Sequence, residues 1–521
     1  MEYSLVCLRD FIFNSFSPGV ASAHPSSRNR DPQPQATNDW LRCAIYGGLG
    51  SFLVALIAYN FVDIDVWHQM ALIRESLSAG HLLRTDPYAY TPTVSPWIDH
   101  EWGAGAIAYF ATRWFGGRAL LALKFLFALG TGFLCVRCSA ARGADFRLLG
   151  ACAPLAACLA YLGFFTAIRA QAYSFFLTAL LLLFWQLDRK GARTWMLVWL
   201  VIFPVWLNIH GGFVVAIGLM ALHVVEQLLR RNPVRHLLSV LAGMFLEIFL
   251  NPYGSSYFSY LRRALTMARP YAPEWRPVWD LGPVWTLSFM VAVLAVLYPV
   301  ASVGIRRSVG ILPLSATALE ALLHRKLLPF FAVAWLCYVP SYLQETGVGR
   351  WFVHFTERRS RFMLAAWLTF ACVCLLATVR QKPWNLSVPQ PIYPVGAVEY
   401  LARQRFKGNL MVPFRLGSYV SWKLFPAVKV SLDSRYEETY PDSVVDSIFR
   451  FYEAAPDWRS TLDRYPTDVV LVPRDAKISN PIPQSGWTRV YRDRQFELYA
   501  RPGRALPVED RSSVSFAGVF P

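Results

Sequence analysis

VWTLSFMVAVLAVLYPVASVG, residues 284–304, runs for 21 positions without a charged side chain. An α-helix needs about 20 predominantly apolar residues to cross the hydrocarbon of a bilayer, so the stretch reads as a membrane span. Outward from it, comparable segments recur near 42–62, 118–136, 148–166, 172–187, 194–208, 211–229, 237–250, 308–323, 327–343 and 361–379. With 55% hydrophobic and 16% charged residues over 521 positions, the chain carries more apolar surface than a soluble fold of this length can hide. The expected fold class is an all-α polytopic membrane bundle of about 11 transmembrane helices, followed by a small mixed α/β soluble domain.

The connectors set the orientation. Arg137, Arg142 and Arg147, then Arg189, Lys190 and Arg193, Arg230, Arg231 and Arg235, Arg306 and Arg307, and Arg350, Arg358, Arg359 and Arg361 fall on alternate connectors, the cytoplasmic set by the positive-inside rule. The net charge of +17 is therefore a topology signal; no contiguous basic tract calls for nucleic acid. Arg262, Arg263, Arg269, Arg276, Arg325 and Lys326 stand on the opposite face and are left for another role. The expected domains are a disordered cytoplasmic tail at 1–41, a transmembrane domain at 42–380 with an outer loop at 63–117, an extracytoplasmic α/β domain at 384–505, and a tail at 506–521. A bacterial-type inner (plasma) membrane location follows, with the N-terminus cytoplasmic. None of the nine cysteines lies in the C-terminal domain, so no disulfide framework is expected.

Sorting polar residues by face collects Asp63, Asp65, His68, Asp99, His100, Glu101, Arg169, Asn208, His210, Asn251, Glu274, His324, Arg325 and Lys326 at the outer ends of helices, the pattern of a shared polar cavity. Asp63 and Asp65, in FVDIDVWHQM (61–70), are the candidate catalytic carboxylates. On one helix they diverge by about 200°, so both reach a cavity only if the backbone unwinds there. His68, Asp99, His100, Glu101, Asn208, His210 and Glu274 are candidate acceptor or cavity residues. The hairpin at His324, Arg325 and Lys326 reads as a clamp for a lipid phosphate. No metal site and no cofactor are expected, because the consecutive side chains of Asp99, His100 and Glu101 do not converge on one ion. Trp67, Trp97, Trp102 and Trp114 read as interface anchors.

Beyond Trp384, PVGAVEYLARQR (394–405) has helical periodicity. NLMVPF, SYVSWKL, AVKVSL, DVVLVP and FELYAR read as strands, and a second helix is expected within 442–465. Asp433, Arg435 and Glu437 follow the third of these strands and read either as surface ion pairs or as groups that face the membrane cavity.

The order DIDVWH, DPYAYT, WIDHEW, an Arg ahead of an outer helix, WLNIHGG, NPYG, EW and HRKLLPFF before a GSYVSW-containing tail resembles a group of bacterial inner-membrane proteins placed near the GT-C superfamily of polytopic glycosyltransferases. The resemblance implies an inverting glycosyltransferase that moves a sugar from a polyprenyl-phosphate donor to an extracytoplasmic glycan, lipid or protein acceptor. It implies an acidic residue of the first outer loop, Asp63 or Asp65, as general base, with Arg169, Arg325 or Lys326 on the donor phosphate. A transporter of lipid-linked substrate and a non-catalytic envelope scaffold are the alternatives on the residues alone.

Overall fold

Residues 32–521 are described by the structure, a computed structural model. The expected tail lies outside the described residues over positions 1–31, as does the side chain of Glu437.

Each apolar segment read from the sequence contains a helix, although the first, 42–62, is helical only as far as Leu56. The first half of the chain forms α1 (Pro32–Leu56), α2 (Ile64–Ala79), α3 (Trp102–Phe115), α4 (Arg118–Ala141), α5 (Phe146–Ala160), α6 (Ala170–Arg189), α7 (Trp195–Ile209), α8 (Phe213–Leu229) and α9 (Arg235–Glu247). There follow α10 (Ser256–Thr266), α11 (Pro283–Val303), α12 (Ile311–Leu323), α13 (Leu328–Gln344), α14 (Gly347–Arg358) and α15 (Ser360–Gln381). Among the described residues, six helices are long and apolar enough to cross a bilayer unaided: Arg118–Ala141, Phe146–Gly163, Ala170–Arg189, Pro283–Val303, Arg325–Gln344 and Ser360–Gln381. Trp195–Ile209, Phe213–Leu229 and Ile311–Leu323 are apolar but shorter.

Burial sorts these helices into layers. α13 is apolar around its whole circumference, and every residue from Leu328 to Tyr342 is buried, which makes it the central helix. It packs on α4, α5, α6 and α12. α15 buries only Cys374 and lies along α1, leaving its apolar surface for lipid. Trp67 and Trp97, expected as interface anchors, are instead core residues: Trp67 packs edge-on against Tyr393 and Tyr419, and both indoles are buried. Trp114 does stand exposed.

The first apolar segment differs from expectation in a way that matters for the site. Its helix stops at Leu56, and residues 57–63 run without helical structure because their polar groups bond elsewhere. Val62 N donates to Ser387 O, Ser387 N to Asn60 O, Ala167 N to Phe61 O, and the Tyr393 hydroxyl to Val62 O at 2.7 Å. Lys124, buried in α4, donates its ammonium to Tyr59 O at 2.6 Å. Backbone groups freed from a helix near lipid must find such partners inside the protein.

The C-terminal region contains α16 (Val395–Arg403), α17 (Phe414–Leu424), α18 (Tyr436–Thr439), α19 (Asp442–Tyr452) and α20 (Arg459–Arg464). They pack on a six-stranded sheet. Its strands are β2 (Gly408–Met411), β3 (Val428–Val430), β4 (Val469–Pro473), β5 (Thr488–Arg492), β6 (Phe496–Ala500) and β7 (Glu509–Asp510), in the order β3-β2-β4-β6-β5-β7. β2 is parallel to β3 and β4, whereas β6 is antiparallel to β4 and β5. β1 (Val388–Pro389) pairs with β8 (Ala517–Gly518), so the segment expected as a tail returns to the domain.

SYVSWKL, expected as a strand, is helix. Leu416, Tyr419, Val420 and Leu424 are buried with i, i+3, i+4, i+8 spacing, and this face packs on α2. Gly417 lets the segment after β3 approach the helix, since a Cβ there would lie 2.0 Å from Leu432 O. α17 is thus a contact that seats the C-terminal region on α2.

Candidate functional site

The unwound stretch ends at Asp63, whose extended backbone (φ −76°, ψ 148°) makes it the N-cap of α2. Its carboxylate accepts the Asp65 N–H at 3.1 Å. Since only Asp65 lies on the helix, the angular conflict between the two carboxylates disappears. Arg169 is the extended residue before α6, and its strand is tied to residues 57–63 through Ala167 N to Phe61 O. Its Nε lies 3.4 Å from Asp63 Oδ2, and its Nη2 lies 3.1 Å from Asp65 Oδ2 and 3.6 Å from Glu274 Oε2.

Glu274 and Lys326 arrive on two short 3-10 turns, Pro273–Trp275 and Arg325–Leu327. The turns are locked by Arg325 N to Arg276 O at 2.9 Å and by His324 Nδ1 donating to Trp275 O at 2.9 Å. Lys326 Nζ then meets Glu274 Oε1 at 2.5 Å and lies over the Trp275 ring. Asp63, Asp65, Arg169, Glu274 and Lys326 therefore form one continuous charge cluster. Arg325 contributes backbone geometry to it and is itself half-buried.

A second cluster adjoins the first. Gln69 Nε2 donates to Glu101 Oε2 at 2.6 Å, and the other Glu101 oxygen faces His100 Nε2 and His210 Nε2, each at 3.5 Å. His100 Nδ1 reaches Glu438 Oε2 at 2.9 Å, and its ring stacks on Tyr260. Gly212 N donates to His210 Nδ1 at 3.0 Å, and Ser174 Oγ, which accepts from Trp206 Nε1, lies 2.7 Å from the same nitrogen. Nδ1 is thus the unprotonated nitrogen, and the Nε2–H of His210 faces Glu101. A Cβ on Gly212 would strike Ser174 Oγ at 2.5 Å and His210 Nδ1 at 2.6 Å, which explains the glycine.

The electrostatics separate acids from bases. Burial, and then the Asp63 charge, push Asp65 up to about 8 against the pull of Arg169. Burial opposes ionisation of Glu274, but Lys326 and Arg169 outweigh it and hold the carboxyl at about 2. Burial likewise works against His100 as an imidazolium, yet the carboxylates of Glu438 and Glu101 raise it well above its ordinary value. Glu101 is correspondingly held far below the usual carboxylate range by His100, again against burial. Burial takes His210 down to about 4 despite Glu101.

The remaining expected site residues stand apart. His68 is tied to the C-terminal domain, Nδ1 to Ser434 Oγ at 2.8 Å, and burial with the Arg435 charge takes it down to about 4. Asp99 caps its own turn by accepting Glu101 N, and burial raises it to about 6. Asn208 accepts from Trp102 Nε1 and donates to Pro204 O and Leu250 O, which holds helix ends together. Asp433 and Arg435, expected as surface ion pairs, are buried and paired with each other, and Arg435 Nη2 also reaches Asp86 Oδ1 of DPYAYT at 2.7 Å. Among the described residues, no group of three or more His, Cys, Asp and Glu side chains has the arrangement of a metal centre. Sequence reasoning missed Gln69, Ser174 and Glu438. Gln69 lay inside a motif already singled out, whereas nothing local marks Glu438, which reaches the cluster from 337 residues further along than Glu101.

An unwound exit from α1, an acidic loop after it and a C-terminal sheet region seated on that loop describe a multi-pass membrane protein whose fold is that of solved membrane glycosyltransferases. The solved structures it resembles are of that class. ArnT from Cupriavidus metallidurans, in the apo state, superposes with a TM-score of 0.53 at 14% identity, over 89% of this chain and 98% of that one. The Archaeoglobus fulgidus oligosaccharyltransferase tethered to an acceptor peptide gives 0.55 at 11% identity, over 89% of this chain and 74% of that one. The archaeal oligosaccharyltransferase AglB from the same organism, in complex with an inhibitory peptide and a dolichol-phosphate, gives 0.52 at 12% identity, over 90% and 75%. No protein-family model and no curated protein matches the sequence.

Proposed function

We propose that the chain is a glycosyltransferase of the inner (plasma) membrane, with its N-terminus cytoplasmic and its C-terminal domain extracytoplasmic, that transfers a sugar from a polyprenyl-phosphate donor to an extracytoplasmic acceptor with inversion. The observation that carries this reading is the convergence of Asp63 and Asp65 on Arg169, beside Lys326, at the outer end of the bundle. The likeness in fold to ArnT and to an oligosaccharyltransferase bound to dolichol-phosphate supports it.

In this reaction an acceptor hydroxyl gives its proton to a carboxylate as its oxygen bonds to the anomeric carbon, and the bond from that carbon to the donor phosphate oxygen breaks. The lipid phosphate leaves with the electron pair and needs compensating positive charge. Arg169 and Lys326 supply it, a contribution largest where charge develops in a site shielded from water. Arg325, on the same turn, is a further cation for the lipid phosphate. Asp65 is the better base of the pair: its side chain is more open than that of Asp63 (23% against 6%), and burial beside Asp63 raises its proton affinity. The reaction so drawn calls for no cofactor.

The test is transfer of radiolabelled sugar from a panel of polyprenyl-phosphate donors by purified protein in nanodiscs, with wild type compared to Asp63→Asn and Asp65→Asn. Donor consumption lost in either variant while the protein stays folded supports the assignment. No consumption of any donor, or turnover indifferent to both substitutions, overturns it and favours the scaffold or transporter.

A further inference from the structure

Arg262 and Arg263 stand on the outer face, where charge topology has no use for them. Both lie on α10 and wall a cavity of about 500 Å³ closed on one side by residues 94–98 and on another by Glu438. This volume is that of a small-molecule site. The carboxylate of Glu438 is engaged by His100 and by the Tyr260 hydroxyl, at 2.9 and 3.3 Å. Among the described residues, no ion pair neutralises either arginine, so the cavity mouth carries net positive charge. Trp97 also lines the cavity; it is 3% exposed, and its indole N–H has no hydrogen-bond partner among the described residues. A buried donor without a partner costs free energy, and a ligand oxygen would relieve it. Val94, Pro96, Ile98 and Met267 supply apolar wall suited to the face of a sugar ring.

We propose that this cavity binds the acceptor through an anionic group, a phosphate or carboxylate carried on a sugar, with Arg262 and Arg263 as its counter-charges. The inference rests on the transferase reading and names the acceptor class for it. The cavity shares Tyr260 and Glu438 with the His100 cluster, so an acceptor seated here adjoins that cluster. Guanidinium groups on one helix suit planar or tetrahedral oxyanions, and the bond is charge-assisted.

The experiment is saturation-transfer NMR with the full chain in phosphatidylcholine nanodiscs, titrating glucose 6-phosphate, glucuronate and glucose. The anionic sugars bind and glucose does not; Arg262→Ala with Arg263→Ala weakens them at least about tenfold, and the double Lys variant retains most of the affinity. Adding phosphatidylglycerol to the discs leaves the sugar phosphate bound. Equal binding of glucose, indifference to the double Ala variant, or displacement by phosphatidylglycerol, which would make the cavity an ordinary lipid contact, overturns the proposal. Anion binding is read on the wild-type protein without any donor, whereas the transferase reading is tested by donor consumption, so failure of one is distinguishable from failure of the other.

Discussion

Arg169 faces Asp63 and Asp65 with two different nitrogens of one guanidinium, Nε in an ion pair 3.4 Å from Asp63 and Nη2 in a hydrogen bond of 3.1 Å to Asp65, so one planar group serves both carboxylates. A lysine keeps the charge and loses the fork. Arg169→Lys is expected to lower kcat by about tenfold or more while Arg169→Gln lowers it further. Steady-state kinetics in nanodiscs reads both, and equal rates in the Lys variant and wild type would show that a point charge suffices.

Asp65→Asn removes the proposed base without changing side-chain volume, and general-base catalysis is worth about 10²- to 10⁴-fold, so kcat is expected to fall within that range. Asp63→Asn keeps an oxygen for the N-cap bond to Asp65 N and is expected to be folded. Full activity in Asp65→Asn with loss in Asp63→Asn would move the base one step back along the chain.

The pH profile follows from the same pair. Burial and the Asp63 charge raise Asp65 to about 8, so in the free enzyme the base is protonated below that value and activity rises as pH increases through it. In Asp63→Asn the charge contribution disappears and the burial contribution stays. The midpoint of residual activity is expected to move to lower pH, short of the ordinary value of 3.8. A midpoint that does not move would show that the two carboxylates are not electrostatically linked.

Much of this arrangement was legible before any coordinates. The apolar runs gave the helices because span length is a physical constant of the bilayer, and the acidic exit motif, Arg169, Glu274 and Lys326 were all marked by polarity at outer helix ends. What escaped was set by tertiary contact. Leu56 ends the first helix because residues 57–63 bond to Ser387, Ala167 and Lys124, none of which a local pattern reveals. SYVSWKL has both strand and helix readings, and only its seat on α2 selects the helix. Glu438 is an unremarkable acid until α18 carries it to His100.

His100 sits between Glu438 and Glu101, and its proton affinity in the folded protein exceeds the unfolded value of 6.5. Its contribution to stability is therefore fully present below about pH 6.5 and is lost as pH rises through the raised folded value. Glu438→Gln removes the closer carboxylate and is expected to flatten that dependence. Thermal unfolding of the detergent-solubilised protein at a series of pH values checks it; parallel curves for wild type and variant would show that Glu438 does not hold the imidazolium.

The join between domain and outer loop gives the last expectation. Arg435 binds Asp86 and Asp433, lies over the rings of Tyr88 and Trp97, and is itself buried. Removing one member of a buried ion network leaves the others charged without compensation, at a cost of about 3–5 kcal/mol. Arg435→Met is therefore expected to destabilise the seat of the C-terminal domain by that amount. Asp86→Asn with Asp433→Asn added to Arg435→Met removes the stranded charges and is expected to recover part of the loss. Because residues 57–63 are also tied within the bundle, through Ala167 N to Phe61 O and Lys124 to Tyr59 O, the charge cluster itself stays assembled. Limited proteolysis within residues 382–440, alongside the donor-transfer assay, separates the two effects: early cleavage with transfer retained is the expected result, and transfer lost in step with cleavage would make the domain seat part of the catalytic machinery.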